Sequence, residues 1–455
     1  MRSSVIATVV SCALVLAACG SGGGAGEDEV NGDGKVVLDV AMDAGLEQAA
    51  VDAFDTRVAQ FEKAHPDVDV RPREYTWTAA TFTSQLAGGT IPDVFTVPFT
   101  DGRGLIERGQ IADVSTLVAK LPYAKSFNPN VAKAGQATDG KQWAVPIAAY
   151  AQALHYNRTL FTQAGLDPDD PPSTWDEVRS AARQITARTG QAGYAQMTTD
   201  NTGGWVLATV DYSYGGRLET LKGDKATATI DTPELAKVLA DVRSMRWDDN
   251  SMGANFLYDW AGINQDFAAG RIGMYVSGGG NYGNLVTQNA LKPQDYGVTV
   301  LPLAGDRDAG VLGGGTLAVV SPKTGEKTRA AAVQWIDFFY MGKLTDSDAA
   351  VLNAKTQADS GQPVGTPDLP VLDRATWDAQ QKWIAQYVNV PVDQLKPYTS
   401  RMFDQPLLPE PPKSTQDVYK ILDNVVQTVL TDQNADIPTL LADAQSQAQA
   451  LLDRG

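Results

Sequence analysis

Apolar and polar residues along the first hundred positions of the chain predict strands that alternate with helices. Val36–Met42 is an apolar run that predicts a strand, and Val51, Phe54, Val58 and Phe61 then recur at helical spacing. His65 and Pro66 end this helix, a second helix is expected over 79–87, and further strands are expected at 68–70 and 94–97. Strand, helix, strand, helix, strand is typical of an open α/β sheet.

A second block of elements begins near Ala151. Thr174 precedes a helical pattern that runs to Thr189, and Glu177 three residues on predicts a capping box. A strand at 316–320 and a helix at 328–340 indicate a return of the chain to the first block. The remaining elements predicted by the pattern are strands at 154–157, 272–276 and 296–301, and helices at 158–165, 418–430 and 438–452.

The first residues carry a leader that changes the picture. Arg2 precedes an apolar stretch from Val5 to Val15, and the small residues Ala17 and Ala18 stand just before Cys19. This pattern predicts a signal peptide over 1–18. It resembles a bacterial lipobox, which implies that the Cys19 thiol is acylated; an ordinary signal peptide is the alternative. The Gly- and Ser-rich residues 19–35 are expected to form a flexible tether.

Composition and charge exclude several classes of protein. Both cysteines, Cys12 and Cys19, lie in the leader region, so no disulfide is expected and a large core must stabilise the fold. The net charge of −17 argues against nucleic acid as a partner. His65 and His155 form no pair with metal-ligand spacing, and the chain has neither a G-x-S-x-G elbow nor a P-loop. We therefore expect no metal, no cofactor and no enzyme activity.

An ordered set of short blocks resembles extracellular solute-binding proteins of family 1, the sugar receptors of ABC importers that include the maltodextrin-binding proteins. The blocks cover nearly the whole chain after the leader. They are residues 61–70 (FEKAHPDVDV), 92–95 (PDVF), 140–146 (GKQWAVP), 156–161 (YNRTLF), 164–166 (AGL), 172–177 (PSTWDE), 267–274 (FAAGRIGM) and 296–302 (YGVTVLP).

The resemblance implies a two-lobed α/β fold of the type II periplasmic-binding-protein class, with three chain crossings at the hinge. Lobe one is expected to comprise residues 36–147 and 311–355, and lobe two residues 151–308 and 358–455. The implied function is capture of a sugar, an oligosaccharide, in the cleft between the lobes. The implied partners are the transmembrane permease subunits, with the ATPase subunit reached only indirectly. We expect a monomer held at the outer face of the cell membrane by its lipid.

The resemblance also indicates which side chains line the cleft. Sugars need aromatic rings against their C–H faces and polar groups for their hydroxyls. The expected ligand-binding residues are Asp43, Trp77, Phe99 and Asp101 in lobe one, Tyr150 and Gly314 at the hinge, and Trp205, Gly280, Asn281 and Tyr282 in lobe two. Tyr150 stands where maltodextrin binders carry an acid, and Gly280 where relatives often carry a tryptophan. These departures suggest a different ligand or a roomier pocket.

Other interpretations of the same residues remain open. Residues 277–283 contain G-x-G-x-x-G after a strand, but a dinucleotide site needs this motif in the first βα turn and an acid about 20 residues later. Asp295 is too close to serve, so a nucleotide site is disfavoured. A secreted carbohydrate-active hydrolase, a receptor for a glycerophosphodiester or a peptide, and a lipoprotein scaffold without ligand are the alternative functions.

Overall fold

A computed structural model describes residues 26–223, 225–304 and 308–454. The predicted signal peptide 1–18, Cys19 and the start of the predicted tether lie outside the described residues. The strands are β1 Val36–Met42, β2 Val68–Glu74, β3 Val94–Pro98, β4 Val145–Asn157, β5 Ala192–Tyr194, β6 Glu219–Lys222, β7 Lys225–Ala228, β8 Ile272–Gly278, β9 Tyr296–Val300, β10 Val311–Val320 and β11 Leu407–Leu408.

Helices account for much of the rest of the described chain. They are α1 Gln48–Ala64, α2 Ala79–Gly88, α3 Phe99–Glu107, α4 Ser115–Val118, α5 Pro129–Ala132, α6 Arg158–Ala164, α7 Trp175–Thr189, α8 Thr202–Ser213, α9 Pro233–Arg243, α10 Trp260–Ala268, α11 Tyr282–Asn289, α12 Glu326–Ile336, α13 Gly342–Thr345, α14 Ser347–Asp359, α15 Arg374–Ile384, α16 Val392–Thr399, α17 Thr415–Thr431 and α18 Ile437–Leu452. A π-helical turn, Asp337–Met341, follows α12 directly.

The first three strands form a parallel sheet. β1 pairs with β2 along its whole length and with β3 on its other side, both in parallel. Helices connect the strands, as parallel pairing requires. The carboxyl ends of β1, β2 and β3 therefore meet at one edge of the sheet, where α/β proteins usually bind their ligands.

Two long strands connect the two lobes. The carboxyl half of β10 pairs with β3 in lobe one, while its first residues pair with β11. The first half of β4 pairs with β10, and its second half pairs with β8 and β9 in lobe two. The chain also touches this strand pair a third time, at Leu369, which forms a bridge with Ala149. These crossings form the hinge, and the α/β fold predicted from the strand and helix pattern is confirmed.

Local sequence signals explain how the elements begin and pack. The Thr174 side chain accepts the Glu177 N–H and the Glu177 carboxylate accepts the Thr174 N–H, which confirms the predicted capping box. Phe61 of α1 is fully buried and packs edge-to-face on Trp335 of α12, which is 1% exposed. Among the described residues no helix is long and apolar enough to cross a bilayer.

The described part of the predicted tether packs on lobe one instead of being free. Asp28 accepts hydrogen bonds from the backbone N–H and the hydroxyl of Thr328, at 2.9 and 3.1 Å, and so caps the start of α12. Glu29 pairs with Arg71, and the Val37 N–H donates to the Glu29 carbonyl. The predicted tether over 19–35 is therefore wrong for residues 26–35. The predicted break between the lobes, at 355 to 358, falls within α14. The other lobe boundaries stay a prediction.

Candidate functional site

The lobe-one candidates lie at the edge of the sheet that the topology predicts for a site. Asp43 follows β1 and is exposed, and Trp77 follows β2 and is half-buried. The Trp77 ring packs on Phe82 with 6.2 Å between centroids, and its indole N–H is buried without a partner among the described residues. Asp101 lies in the first turn of α3 after β3, where burial raises the pKa of its carboxyl and the Thr100 hydroxyl donates to it.

The hinge brings Tyr150 and Gly314 into contact. They pair across β4 and β10, and a Cβ at Gly314 would lie 2.8 Å from the Tyr150 hydroxyl oxygen. Only a glycine allows the ring to lie so close to β10. The ring of Phe99, 7% exposed, covers the next glycine, Gly315. Three predicted residues therefore lie together at the hinge, with Tyr150 partly exposed and Phe99 buried beneath β10.

Trp205 is positioned by the packing of α8 on α17. The Asp423 carboxylate accepts the backbone N–H groups of Asn201 and Gly204, at 2.7 and 2.8 Å, and so caps α8 from a distant part of the chain. A Cβ at Gly204 would lie 2.3 Å from the Tyr419 Cα, so this glycine allows the two helices to meet. The Trp205 side chain in the first turn of α8 is half-buried.

The residue that Trp205 contacts was missed by sequence reasoning. The hydroxyl of Tyr419 donates to the Glu410 carboxylate at 3.3 Å, and the Trp205 indole lies close enough to lower the pKa of Glu410. Burial raises the pKa of Glu410 despite these two neighbours, and burial together with the Glu410 charge raises the pKa of Tyr150. Glu410 therefore lies beside the hinge tyrosine, within a group of aromatic rings.

A second group of side chains connects the two lobes on the other side of the hinge. Asp368 precedes Leu369, and a Cβ at Gly280 would lie 2.1 Å from its Oδ1 atom. The Asp368 carboxylate thus fills the space that Gly280 leaves, so the predicted roomier pocket is not found at this point. Lys343 lies close enough to Asp368 for its charge to oppose the effect of burial on the pKa of that carboxyl. Tyr340 in the π-helical turn lies near Asp43, whose charge adds to burial in raising the pKa of the Tyr340 hydroxyl.

The environment of Asp368 and Lys343 is that of a concave surface. Both side chains remain accessible to water, yet burial raises the pKa of Asp368 and lowers the pKa of Lys343. A group can be accessible and partly desolvated at once when protein atoms surround it on most sides. Burial also raises the pKa of Tyr340 to about 12. We therefore assign these three residues to the cleft between the lobes.

Asn281 and Tyr282 lie behind the cleft rather than in it. The Asn281 amide donates to the Asn264 Oδ1 and to the Tyr275 hydroxyl, both at 2.9 Å. Tyr282 is 1% exposed and its ring packs on Tyr296 at 5.0 Å. The structure thus does not place the Tyr282 ring against a ligand, because core packing occupies its faces, while Asn281 supports the loop that carries Gly280.

The structure brings Phe99, Tyr150 and Gly314 together at the hinge strands, and Glu410 lies between Tyr150 and Trp205. Gly280 lies against Asp368, while Asp43, Trp77 and Asp101 lie at the edge of the lobe-one sheet. Glu410, Tyr419, Tyr340, Lys343 and Asp368 were not predicted. The proline-flanked Glu410, in Pro409-Glu410-Pro411, and the aromatic run that ends at Tyr340 are the only sequence signals that mark any of them.

Other places in the structure offer less for a ligand. A surface groove of about 520 Å³ on lobe two contains Asp169, Asp393 and Lys396, but Asp169 is paired with Arg158 and Asp393 with Lys396. Within the described ranges no group of three or more His, Cys, Asp or Glu side chains could hold a metal ion. The cleft is therefore the candidate site.

Comparison with known proteins identifies the family. Residues 56–389 match the family described as bacterial extracellular solute-binding protein. The chain belongs to this family. The predicted family resemblance is thus confirmed, and family members work outside the cytoplasm.

Curated relatives are distant. A putative binding protein of Brucella abortus is 27% identical over 247 residues, which cover 53% of this chain and 58% of the relative. The sn-glycerol-3-phosphate-binding periplasmic protein UgpB of Agrobacterium fabrum is 24% identical over 268 residues, 55% of this chain and 58% of the relative. The chain thus matches less than two thirds of the length of these proteins.

Solved structures share the two-lobed fold. The cyclic alpha-maltosyl-1,6-maltose binding protein of Arthrobacter globiformis has a TM-score of 0.66 at 23% identity and covers 93% of this chain and 100% of its own. The sugar-binding protein MalE of Xanthomonas citri has a TM-score of 0.67 at 17% identity, with 92% and 98% covered. UgpB of Mycobacterium tuberculosis, in complex with glycerophosphocholine, has a TM-score of 0.64 at 18% identity, with 92% and 98% covered. These similarities confirm the fold class.

Proposed function

We propose that this protein is the receptor of an ABC importer that captures a carbohydrate, an oligosaccharide, in the cleft between its lobes. The observation that carries the proposal is the surface at the hinge. Tyr150 and Trp205 present half-buried rings beside the Glu410 carboxylate, and Asp101 and Asp368 supply further acceptors. Rings for C–H faces and carboxylates for hydroxyls are the groups that a sugar requires.

The charges of the cleft disfavour the phosphodiester alternative. Its carboxyls are Asp43, Asp101, Asp368 and Glu410, against the single ammonium of Lys343 among the described residues that we assign to it. An anionic ligand would be repelled in a partly desolvated site of this charge. The binding relatives support a receptor without enzyme activity. Closure of the hinge on the ligand would present a new surface to the membrane permease.

We expect the unfolding temperature of the purified protein to rise with one class of oligosaccharide. A ligand at 100 times its dissociation constant adds about 2.7 kcal/mol to the free energy of unfolding, which shifts the midpoint by a few degrees. Thermal unfolding against mono- and oligosaccharides measures this shift. A flat sugar panel together with a shift by a glycerophosphodiester or a peptide would contradict the proposal, and slow cleavage of a bound oligosaccharide would favour a hydrolase.

We further propose that the protein is anchored through an acylated Cys19. Replacing Cys19 with alanine is expected to move the protein from the membrane fraction to the soluble fraction, because two acyl chains hold a protein firmly while none leaves it free. Fractionation of the producing cells, followed by mass measurement of the amino-terminal peptide, checks this. An unmodified peptide in the unaltered chain would show that the signal peptide is of the ordinary kind.

A further inference from the structure

The Glu410 carboxylate has no cationic partner among the described residues. Its polar neighbours are neutral: the Tyr419 hydroxyl donates to it at 3.3 Å, and the Trp205 indole lies nearby. It is half-buried among rings, so water screens it less than it would a surface carboxylate. Holding an ionised carboxyl there costs free energy unless a cation arrives with the ligand.

The neighbouring charges do not supply that cation. Burial raises the pKa of Tyr212 and the nearby Arg217 lowers it, while the carboxyls of Asp211, Glu219 and Glu410 raise it further, so Arg217 is the cation that lies in this region. The Arg217 guanidinium lies over the Tyr212 ring at 5.1 Å and donates to the backbone carbonyls of Gly216 and Asp308. Arg217 is thus engaged elsewhere, and the Lys413 charge acts on Glu219, so neither cation pairs with Glu410.

We propose that the cleft selects a solute in which a protonated amine is attached to a hydroxyl-rich body, with Glu410 pairing with the amine. The inference rests on the proposed function, because it names the class of ligand for the same cleft. The half-buried rings of Trp205 and Tyr150 favour a cation as well, since the faces of aromatic rings attract positive charge. Asp368 and Asp101 remain available for the hydroxyl groups of the ligand.

The test compares ligands that differ only in the amine. Titration calorimetry of the purified protein uses glucosamine against glucose, galactosamine against galactose, and α- and β-linked glucosamine oligomers against the matching glucose oligomers. We expect at least one amine-bearing member to bind about tenfold tighter than its neutral partner, and this preference to fall with added salt. Choline forms a separate arm, which distinguishes a quaternary ammonium compound from an amino sugar as the source of the cation.

Two variants assign the preference to Glu410. Glu410→Gln is expected to reduce the tenfold preference to less than twofold, because only the amine-bearing member of each ligand pair loses an ion pair. Glu107→Gln, an equal charge change at an exposed residue of α3, is expected to keep the preference. The unfolding temperature of each variant is measured first, so that loss of fold is distinguished from loss of selectivity.

Each outcome decides between the two proposals. If neutral sugars bind and their amine-bearing partners bind no tighter, the amine inference is overturned and the sugar receptor stands. If the preference persists in Glu410→Gln, Glu410 is not the selecting residue. If neither class binds, the proposed function fails and the inference fails with it.

Discussion

Replacing Trp205 with alanine is expected to weaken ligand binding more than any other single truncation in the cleft. The ring lies in the first turn of α8 beside Glu410, so the change removes a stacking surface and a polar neighbour of a partly buried carboxylate. A tryptophan in this position contributes about 2 kcal/mol, or roughly a 30-fold increase in the dissociation constant. Titration calorimetry with the best ligand of the panel measures it.

Two controls separate the contributions of Trp205. Trp205→Phe keeps a ring but loses the N–H, so an intermediate loss is expected if both matter. Trp383→Ala removes an indole that packs on the small second apolar cluster around Ala354 and Ile384, and it should leave the dissociation constant within twofold. Equal affinity of Trp205→Ala and the unaltered protein would show that this ring is part of the lobe-two core and not of the binding surface.

The fold could be predicted from the sequence largely because its signals are local. β1 and α7 begin and end where the apolar pattern and the capping box place them, since both depend on residues within four positions of each other. The apolar pattern predicted only part of the strand where an element crosses the hinge. β4 begins at Val145, well before the predicted 154, because its first half is held by pairing with β10 and not by alternation of its own residues.

The candidate site was only partly predictable because it is assembled from distant parts of the chain. The residues after β1, β2 and β3 could be placed, since the carboxyl ends of parallel strands share an edge. The positions of Glu410 and Asp368 could not be predicted in this way. Glu410 lies beside Trp205 and Asp368 beside Gly280, and each pair is far apart in the sequence. Tyr282 could not be assigned to the core without knowing that Tyr296 covers it.

Asp211 is expected to make the stability of the protein fall as the pH rises, and this effect is the largest that we predict for the fold. Its carboxyl is fully buried in α8, and neither oxygen has a hydrogen-bond partner among the described residues. Burial raises the pKa of Asp211 from 3.8 to about 7; the Glu234 charge raises it further and Arg217 lowers it. The folded state therefore binds a proton more tightly than the unfolded state does.

The sign of the effect follows from this difference in proton binding. Below the unfolded-state pKa both states hold the proton, and Asp211 does not lower the free energy of unfolding. As the pH rises towards 7 the unfolded state loses its proton first, so the free energy of unfolding falls. Above pH 7 both states are ionised and the loss stays constant. Asp211→Asn removes the charge at every pH. As the pH rises from 5 to 8, the free energy of unfolding of this variant is thus expected to increase by about 3 kcal/mol relative to that of the unaltered protein. Urea unfolding at both pH values measures the difference.

A matched variant at the surface tests whether burial is the cause. The pKa of Asp393 is lowered by the Lys396 side chain, so Asp393→Asn should change stability slightly and in the opposite direction. A difference between Asp211→Asn and the unaltered protein that stays constant from pH 5 to pH 8 would contradict a raised pKa at Asp211. Since α8 also carries Trp205, the same titration followed by ligand affinity shows whether the ionisation of Asp211 loosens the helix that presents this ring to the cleft.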